Sequence, residues 1–396
     1  MSATAGNTVE TSAAKSMRLM NALKDQISSN MMLVICGILI VMVILYAIYY
    51  NLLESRECSA LDDMYPTLDP NIRSIDITHE DFADPNPDEE EVVFGLRDYY
   101  IKTAFNCCSG GGYKNDYVST CVLKSVLRQG VRGLDFEIYS IDDQPVVATS
   151  TSDEYGYKET FNHVPFSTVM SVLRDYAFSD ANAPNPKDPI IMHLRIKSTN
   201  QKMYENFAKL LQEYEDLLLG PEFSNECLND EGVHGNLGAV PLRDLMGKIS
   251  IIVDNSNTSY YDCVEFREFV NMTSNSVFMQ ILRFHDIKYA PDMEALIEHN
   301  KAGMTIGIPD TGVAPPNPSC VVMMETGCQM IGMRYQLFDT NLEQNELIFD
   351  LYGFAFKLKP EPLRFHYTVV PDPEPQTETV SYAPRKAETD FYSFEI

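Results

Sequence analysis

The sequence predicts an α/β fold, a (β/α)8 barrel of the TIM type, preceded by a single transmembrane helix. From residue 92 to about residue 370, short runs of β-branched residues alternate with helical stretches. This alternation is typical of parallel strands joined by crossover helices, and roughly 280 residues are a usual length for such a barrel. Ahead of it, residues 31–50 are apolar and carry no charge.

The apolar run from Met31 to Tyr50 predicts a helix that crosses a membrane. At ~1.5 Å per residue it reaches ~30 Å, the thickness of the hydrocarbon layer, and its closing tyrosines suit the interface. A cleaved signal peptide is the alternative interpretation. The run is too long for that, starts late, and lacks a clear small-x-small cleavage site.

The charges on either side of this run predict its orientation. Acids dominate after it, and the N-terminal tail, residues 1–30, contains basic residues at Lys15, Arg18 and Lys24. The positive-inside rule therefore places the tail on the cytoplasmic side and the barrel on the opposite side. N-glycosylation sequons at Asn257 and Asn271 fit that side only weakly, because such triplets are common by chance.

The remaining segments follow from composition and periodicity. Residues 51–91 are acidic and contain four prolines, which predicts an extended stalk. Strands are predicted at 145–147, 189–194 and 248–253, and helices at 119–129, 165–177 and 200–219. The predicted domains are a first half of the barrel at 92–255, a variable connection at 256–290, a second half at 291–370 and a proline-rich tail at 371–396.

Bulk composition excludes some function classes. The net charge of −27 argues against a nucleic-acid binder, which needs a basic face, and it should repel anionic lipid headgroups. The nine cysteines are odd in number, irregularly spaced and without a Cys-x-x-Cys pair, so a zinc site is not expected. The cysteines leave the redox compartment open.

Two stretches near the C-terminus point to a known family. Residues 326–336 read TGCQMIGMRYQ and residues 356–364 read FKLKPEPLR. They resemble the second conserved half of the phosphoinositide-specific phospholipase C barrel. Four weaker matches to the first half precede them in the correct order, at 96–106, 129–137, 144–150 and 188–195.

The resemblance implies two catalytic histidines and a calcium ion held by one Asn and three acids. In this sequence Phe105 and Thr149 stand at the two histidine positions. Phenylalanine cannot transfer a proton, and a threonine hydroxyl is a poor acid or base near neutral pH. The resemblance therefore identifies a catalytically degenerate member of the family.

The implied calcium ligands are altered as well. Asn106, Asp135 and Glu137 retain suitable oxygens, but Arg195 stands at the position of the last acid. A surviving metal site is one interpretation. The favoured one is that the guanidinium of Arg195 pairs with both acids and replaces the metal, so no cofactor is expected.

The headgroup contacts that the resemblance implies are also lost. Ile252 and Asp254 stand where the family has two phosphate-binding lysines, and Ile306 and Ile308 stand where it has an arginine and a tyrosine. An Asp in place of a Lys inverts the local field. These four positions define a degenerate headgroup pocket.

The favoured hypothesis is a membrane-anchored, inactive barrel with a structural or protein-binding role, as in the membrane or shell of a large DNA virus. Its partners would be the bilayer, through residues 31–50, and other proteins. One alternative is an active phosphoric diester hydrolase with a rebuilt site, with a metal at Asn106, Asp135 and Glu137 and a proton donor such as His163 or His193. Another is a ligand-binding barrel without turnover.

Overall fold

The computed structural model describes residues 12–79, 81–82, 94–152, 156–224, 236–366, 384 and 386–395. Its first element is one long helix, α1 (Ser12–Met64). Among the described residues, α1 is long and apolar enough to cross a membrane. The predicted run at 31–50 lies inside it.

A nearly closed parallel barrel follows, which confirms the predicted fold class. The strands in chain order are β1 (Tyr99–Ala104), β2 (Gly133–Ile141), β3 (Gln144–Val147), β4 (Val164–Pro165), β5 (Ile190–Ile196), β6 (Ile249–Asp254), β7 (Met272–Ser274), β8 (Met279–Arg283), β9 (Met304–Ile308), β10 (Met330–Met333) and β11 (Phe356–Leu358). Within the described residues, eight of them pair in the parallel order β7-β6-β5-β2-β1-β10-β9-β8. The additional strands pair antiparallel, β11 on β1, β3 on β2 and β4 on β3.

Helices cover the outer face of the sheet. They are α2 (Thr120–Arg128), α3 (Phe166–Val172), α4 (Gln201–Gln212), α5 (Val264–Arg267), α6 (Phe284–Lys288), α7 (Met293–Ala302), α8 (Cys320–Glu325) and α9 (Thr340–Tyr352). Short 3-10 turns lie at 96–98, 221–223, 237–239, 242–245, 259–262 and 361–363, and a π turn at 173–177 continues α3. Side-chain oxygens cap several helix starts, such as Asp339, which accepts from the backbone N–H of Leu342.

The period-two alternation of strand side chains divides the barrel into two layers. On β2, Leu134 and Phe136 pack against the helices, in the larger apolar core. Asp135 and Glu137 alternate with them and therefore face the barrel interior. The lower interior is a second apolar core that includes Ile191 and Ile252. The interior is thus packed with apolar side chains below a polar layer. This polar layer lies at the end of the barrel where the carboxyl ends of the strands meet, and we call that end the loop end.

The prediction of an extended stalk at 51–91 is wrong for the residues that the structure describes there. Helix α1 continues to Met64, and the chain after it packs on the barrel as a strap, residues 65–79. Leu61, Tyr65 and Ile72 are buried, and a disulfide joins Cys58 to Cys121. Acidic, proline-containing composition indicated a solvated spacer, but a few apolar residues spaced among the acids are enough to fasten it.

The predicted variable connection at 256–290 is also wrong, because it contains two barrel strands, β7 and β8. These strands have three and five residues. Such short strands lack the long β-branched runs that mark β5 and β6 in the sequence. Predicted helix 200–219 ends earlier, at Gln212, whereas the predicted helices at 119–129 and 165–177 are confirmed.

Residues 365–396 form a separate unit. Its described part contains an antiparallel pair of short strands at the aromatic end of the predicted tail, β12 (Lys386–Glu388) and β13 (Ser393–Glu395). Residues 371–383, the proline-rich part of that prediction, lie outside the described residues.

Candidate functional site

The residues predicted to form the site converge at the loop end of the barrel. Asn106 follows β1 directly, and Asp135 and Glu137 lie on β2 beside Arg195 on β5. The pairing register sets Glu137 opposite Arg195 and Asp135 opposite His193. Asn106 has a φ of 49°, a left-handed conformation that asparagine tolerates better than most residues. This turn directs its side chain toward the two acids.

Arg195 is the centre of the cluster. Its Nη2 donates to Asn106 Oδ1 at 2.8 Å and to Asp135 Oδ2 at 2.9 Å, and its Nε donates to Asp135 Oδ1 at 3.1 Å. Its Nη1 donates to Glu137 Oε2 at 3.5 Å. One planar cation therefore reaches all three of the remaining candidate ligands, with the two-pronged geometry that guanidinium groups form with carboxylates.

Asp135 has two further neighbours. His193 Nδ1 lies 2.7 Å from Asp135 Oδ1, and His193 Nε2 lies 2.9 Å from the hydroxyl of Ser274. The Asp135 carboxylate is fully buried. Burial alone would raise the pKa of Asp135, but the charge of Arg195 and the hydrogen bond with His193 hold it well below its usual range. Asp135 is therefore the ionised partner of Arg195.

Glu137 is bound less tightly. Its Oε1 accepts a hydrogen bond from Tyr139 at 2.6 Å. Burial raises the pKa of Glu137 despite the opposing charge of Arg195. The same arginine thus stabilises the charge of Asp135 more than that of Glu137, as expected from its shorter hydrogen bonds to Asp135.

The cluster does not fit the calcium ion of the related enzymes. Calcium is held by six to eight oxygens at about 2.3–2.6 Å. Here the oxygens of Asn106, Asp135 and Glu137 all accept hydrogen bonds from Arg195. An ion within coordination distance of these oxygens would lie beside a fixed positive charge in a buried site. The residues present therefore favour the guanidinium over the metal.

At the two positions where the resemblance implies histidines, Phe105 and Thr149 make packing and hydrogen-bond contacts. The ring of Phe105 lies 4.6 Å from the guanidinium carbon of Arg195 and packs edge-on against Tyr113. The hydroxyl of Thr149 donates to the backbone carbonyl of Tyr113 at 3.1 Å. Both side chains are buried and hold the Arg195 layer in place.

The four headgroup positions divide into two groups. Ile252, Ile306 and Ile308 are buried and belong to the apolar core inside the barrel. Asp254 ends β6 and accepts hydrogen bonds from Ser256 N and Asn275 Nδ2. The space above these residues is small. The cleft lined by Phe105, Glu137 and Arg195 has a volume of about 30 Å³, which is close to the space of one water molecule.

Some residues of the site were not assigned to it from the sequence. His193 was weighed only as a structural residue or a proton donor, although its spacing of two from Arg195 places both on one face of β5. Ser274 gave no signal, because it ends a three-residue strand. Arg334 follows β10, donates to the carbonyl of Gly111 at 2.9 Å and lies over the Tyr113 ring. It therefore reaches the cluster only through Tyr113, whose ring also packs against Phe105.

The two sequons do not support a side of the membrane. Asn257 Nδ2 donates to the carbonyls of Ile196 and Ser198, and Asn271 Nδ2 donates to that of Phe223. Both side chains are buried. Neither amide is accessible to a glycosyl transferase in the folded protein.

Comparison with known proteins supports the barrel fold. Residues 94–254 match the model of the phosphatidylinositol-specific phospholipase C X domain. PLC21 from L. pealei has a similar structure, with 19% identity and a TM-score of 0.56 over 69% of this chain and 38% of that chain. PLC21 from S. officinalis is similar as well, with 20% identity and a TM-score of 0.55 over 69% of this chain and 38% of that chain. This chain therefore spans 38% of those structures, and identity this low concerns the fold. No curated protein sequence matches the chain.

Proposed function

Because the chain carries a barrel of the phosphoinositide-specific phospholipase C type, we propose that it is a catalytically inactive relative with a structural or protein-binding role at a membrane. The observation that carries this proposal is the placement of Arg195. Its guanidinium donates to Asn106, Asp135 and Glu137 together, at the position where related enzymes are expected to hold calcium.

Loss of the proton-transfer groups supports the same conclusion. Each general acid or base typically contributes ~10²–10⁴-fold to a rate, and neither Phe105 nor Thr149 can replace a histidine. His193 contacts the cluster, but it is fully buried between Asp135 and Ser274. It lies outside the cleft lining, which weighs against its use as the proton donor of a rebuilt site.

The small size of the cleft also supports the proposal of an inactive barrel. Sites for small ligands usually measure ~300–1,000 Å³, so even the smallest of them is about ten times larger than the cleft of about 30 Å³ beside Arg195. The buried side chains of Ile252 and Ile306 occupy the interior below it. This packing weighs against a headgroup pocket and also against a barrel that binds another ligand at this end without turnover.

The proposed role follows from the remaining features. Helix α1 would anchor the barrel, with the N-terminal tail on the cytoplasmic side. The net charge of −27 favours basic protein surfaces as partners and disfavours nucleic acid. A place in the membrane or shell of a large DNA virus is one version of this role, which localisation of the protein in purified particles would test.

The first test is cleavage of phosphatidylinositol by the full chain in detergent with added calcium. We expect a rate at the level of the buffer blank. The triple variant Phe105→His, Thr149→His and Arg195→Glu should recover little, because the cleft and the isoleucines remain. Robust turnover by the unmodified chain that is lost in Asp135→Asn would instead establish the rebuilt-site hydrolase.

The second test is calcium itself. Calcium at about 1 mM should not raise the melting temperature of the unmodified chain, because a ligand stabilises only the state that it binds. The Arg195→Glu variant is the matched comparison, since it replaces the cation by the acid that the resemblance implies and retains Asn106, Asp135 and Glu137 as possible ligands. Micromolar binding by the unmodified chain would contradict the proposal.

A further inference from the structure

Helix α9 carries an exposed apolar crest, formed by Leu347 and Leu351. Their side chains have 55% and 81% of their surface exposed, and a spacing of four residues places them on the same side of the helix. Phe338, just before α9, and Val321 on α8 are exposed as well. Apolar side chains clustered on one face of a folded protein are typical of a surface that binds another protein.

A cleft with acidic walls lies on one side of the crest, between α9 and the strap. It has a volume of about 380 Å³, and Phe338 and Leu347 are part of its lining. We call it the acidic cleft, because the described residues that line it include no lysine or arginine but four acids, Asp69, Glu343, Glu346 and Asp350. Lys102 pairs with three of these acids from below, so the cleft keeps an excess of negative charge.

A larger cleft with basic walls lies on the other side, between α8, α9 and the chain that ends and follows β11. It has a volume of about 900 Å³ and is lined by Val321 and Leu351, by one acid, Glu325, and by the cations Lys357, Lys359 and Arg364. We call it the basic cleft. Lys359 is fully buried and donates to the carbonyl of Asn300 at 2.9 Å. Lys357 and Arg364 therefore provide the positive charge near the surface.

The helical period explains why the two clefts are separated by the crest. With 3.6 residues per turn, Glu343, Glu346 and Asp350 fall on one flank of Leu347 and Leu351. Ile348 and Tyr352 fall on the other flank and line the basic cleft. The apolar crest therefore runs between surfaces of opposite charge.

A face of this kind is complementary to itself under one two-fold rotation. When the axis is parallel to α9, the crests of two copies meet, and the acidic cleft of each copy faces the basic cleft of the other. An axis across α9 would set acid against acid and cation against cation, which is unfavourable. The arrangement of charge therefore selects a dimer in which the two α9 helices run in the same direction.

The same arrangement suits two chains that are anchored in one bilayer. Cys58 is joined to Cys121 in the first turn of α2, and Asp62, one turn later in α1, pairs with Arg128 at the end of α2. Helix α1 therefore runs in the same direction as α2. Because the outer helices of a parallel barrel share one direction, α1 and α9 do so as well. A two-fold axis parallel to α9 thus leaves both copies of α1 pointing the same way.

The net charge of −27 does not prevent this association. Charges farther apart than a Debye length, ~8 Å at physiological ionic strength, are largely screened, so the charges that meet at the interface decide. A different protein would need both an acidic and a basic surface at the correct spacing, whereas a second copy supplies both by symmetry.

We infer that this face of the barrel is the interface of a two-fold symmetric dimer, in which the acidic cleft of each copy receives Lys357 and Arg364 of the other across the apolar crest. The inference rests on the proposed structural role and anchoring, and it names a second copy of this chain as the partner.

Cross-linking of the full-length chain in phosphatidylcholine vesicles tests the position of the interface. The background Cys36→Ser and Cys227→Ser removes the exposed free thiol and the cysteine outside the described residues, and it retains the disulfide and the buried thiols. Leu351→Cys lies on the proposed axis. The matched control is Val277→Cys, because Val277 is also 81% exposed but lies in the turn between β7 and β8, the two ends of the strand order. A short bifunctional maleimide should link Leu351→Cys chains into dimers and leave Val277→Cys chains largely monomeric.

Charge reversal tests the complementarity. Lys357→Glu and Glu343→Lys, each added to Leu351→Cys, set like charges across the interface and should lower the yield of dimer about tenfold. Lys202→Glu, a reversal on exposed α4, should leave the yield unchanged. In a mixture of the Lys357→Glu and Glu343→Lys chains, both pairs of clefts are again opposite in charge. The yield of the mixed dimer should therefore return to that of the parent, which also shows that both variants fold.

Several results would overturn the inference. Equal cross-linking of Leu351→Cys and Val277→Cys would do so and would leave this face to a different protein. A yield that neither reversal lowers, or that stays low in the mixture, would exclude pairing between the clefts. The phosphatidylinositol assay separates the two proposals, because turnover by a chain that cross-links as expected would overturn the inactive barrel and support the dimer.

Discussion

The barrel buries two clusters of a cation with carboxylates, one on each face of its sheet, and they differ in how the charge is held. Inside, Arg195 forms directed hydrogen bonds with Asp135 and Asn106. Outside, Lys102 on β1 lies 2.9 Å from Glu346, 3.4 Å from Asp69 and 3.9 Å from Asp350. Both cations are buried.

The difference lies in the exposure of the acids and in the origin of the chain segments. The acids of the inner cluster have side-chain exposures of 0% and 1%, whereas Asp350 in the outer cluster reaches 26%. The inner cluster joins neighbouring strands, and the outer cluster joins the strap after α1 to α9 through Asp69. The inner cluster therefore fills the candidate site, while the outer one joins the chain that follows α1 to the barrel.

The largest expected effect is loss of the inner cation. Arg195→Ala removes the cation from two buried carboxylates, which keep only hydrogen bonds such as those with His193 and Tyr139, and should cost about 3–5 kcal/mol in the free energy of unfolding. Urea denaturation of the detergent-solubilised chain measures it. The matched control is Arg174→Ala, an exposed arginine paired with Asp175, which should cost at most about 1 kcal/mol. Equal costs would remove the distinction between a buried cluster and a surface pair.

Loss of the outer cation should cost less. Lys102→Met removes the cation that pairs with Asp69 and Glu346. Because the third acid, Asp350, is partly exposed, water or a bound proton can stabilise it. We therefore expect a loss of about 3 kcal/mol in the free energy of unfolding. The same denaturation experiment applies, with the exposed Lys202→Met as control. A cost above that of Arg195→Ala would invert the ranking of the two clusters.

The disulfide tests whether the strap depends on its covalent clamp. Cys121→Ser opens the link to Cys58 and should lower stability by about 2–4 kcal/mol, since the link closes a long loop in the unfolded chain. Thermal unfolding with and without reductant provides the measurement. Cys36→Ser, a free thiol in α1, is the control. A reductant-insensitive melting temperature in the unmodified chain would show that packing alone holds the strap.

The smallest expected effect is the pH dependence of stability that Asp350 in the outer cluster contributes. Burial and the neighbouring acids Asp69 and Glu346, opposed by Lys102, raise the pKa of Asp350 to about 6. A raised pKa means that the folded state favours the protonated form of Asp350. The stability that this protonated carboxyl contributes is therefore present at about pH 4 and is lost as the pH rises through 6.

Asp350→Asn retains the neutral form at every pH. The parent loses stability between acidic and neutral pH and the variant does not. The melting temperature of the variant minus that of the parent should therefore increase by about 2 °C over this range. The exposed Asp175→Asn variant should run parallel to the parent across the same range. Parallel curves for Asp350→Asn as well would mean that the outer acids ionise normally.

Much of the fold was accessible from the sequence. The apolar run at 31–50 is a local property of twenty residues, and the alternation of β-branched and helical stretches repeats along the barrel. These patterns require no knowledge of distant contacts. The positions of Phe105, Asn106, Asp135, Glu137 and Arg195 were also accessible, because order and spacing along the strands align them with a known family.

Other features depended on contacts between residues far apart in the chain. Ser274 reaches His193 only because β6 and β7 follow β5 around the barrel, and Asp69 reaches Lys102 only because the strap folds back. The acids and prolines of 51–79 predicted a solvated stalk, since composition does not record which surface a segment meets. Strands of three to five residues, such as β7 and β8, are stabilised by their neighbours in the closing sheet, so their own sequence gives little signal.

The sequence by itself therefore determined the apolar run that is long enough to span a membrane, the barrel type and the identity of the residues at the candidate site, because each is encoded in local composition or in the order of motifs. The tertiary structure alone decided what those residues do. In the folded protein the guanidinium of Arg195 lies among oxygens of three side chains, and isoleucine side chains pack in the interior of the barrel below it. A disulfide holds α1 beside α2. Hydrogen bonds, close packing and disulfides act over a few ångströms in space, whatever the separation along the chain.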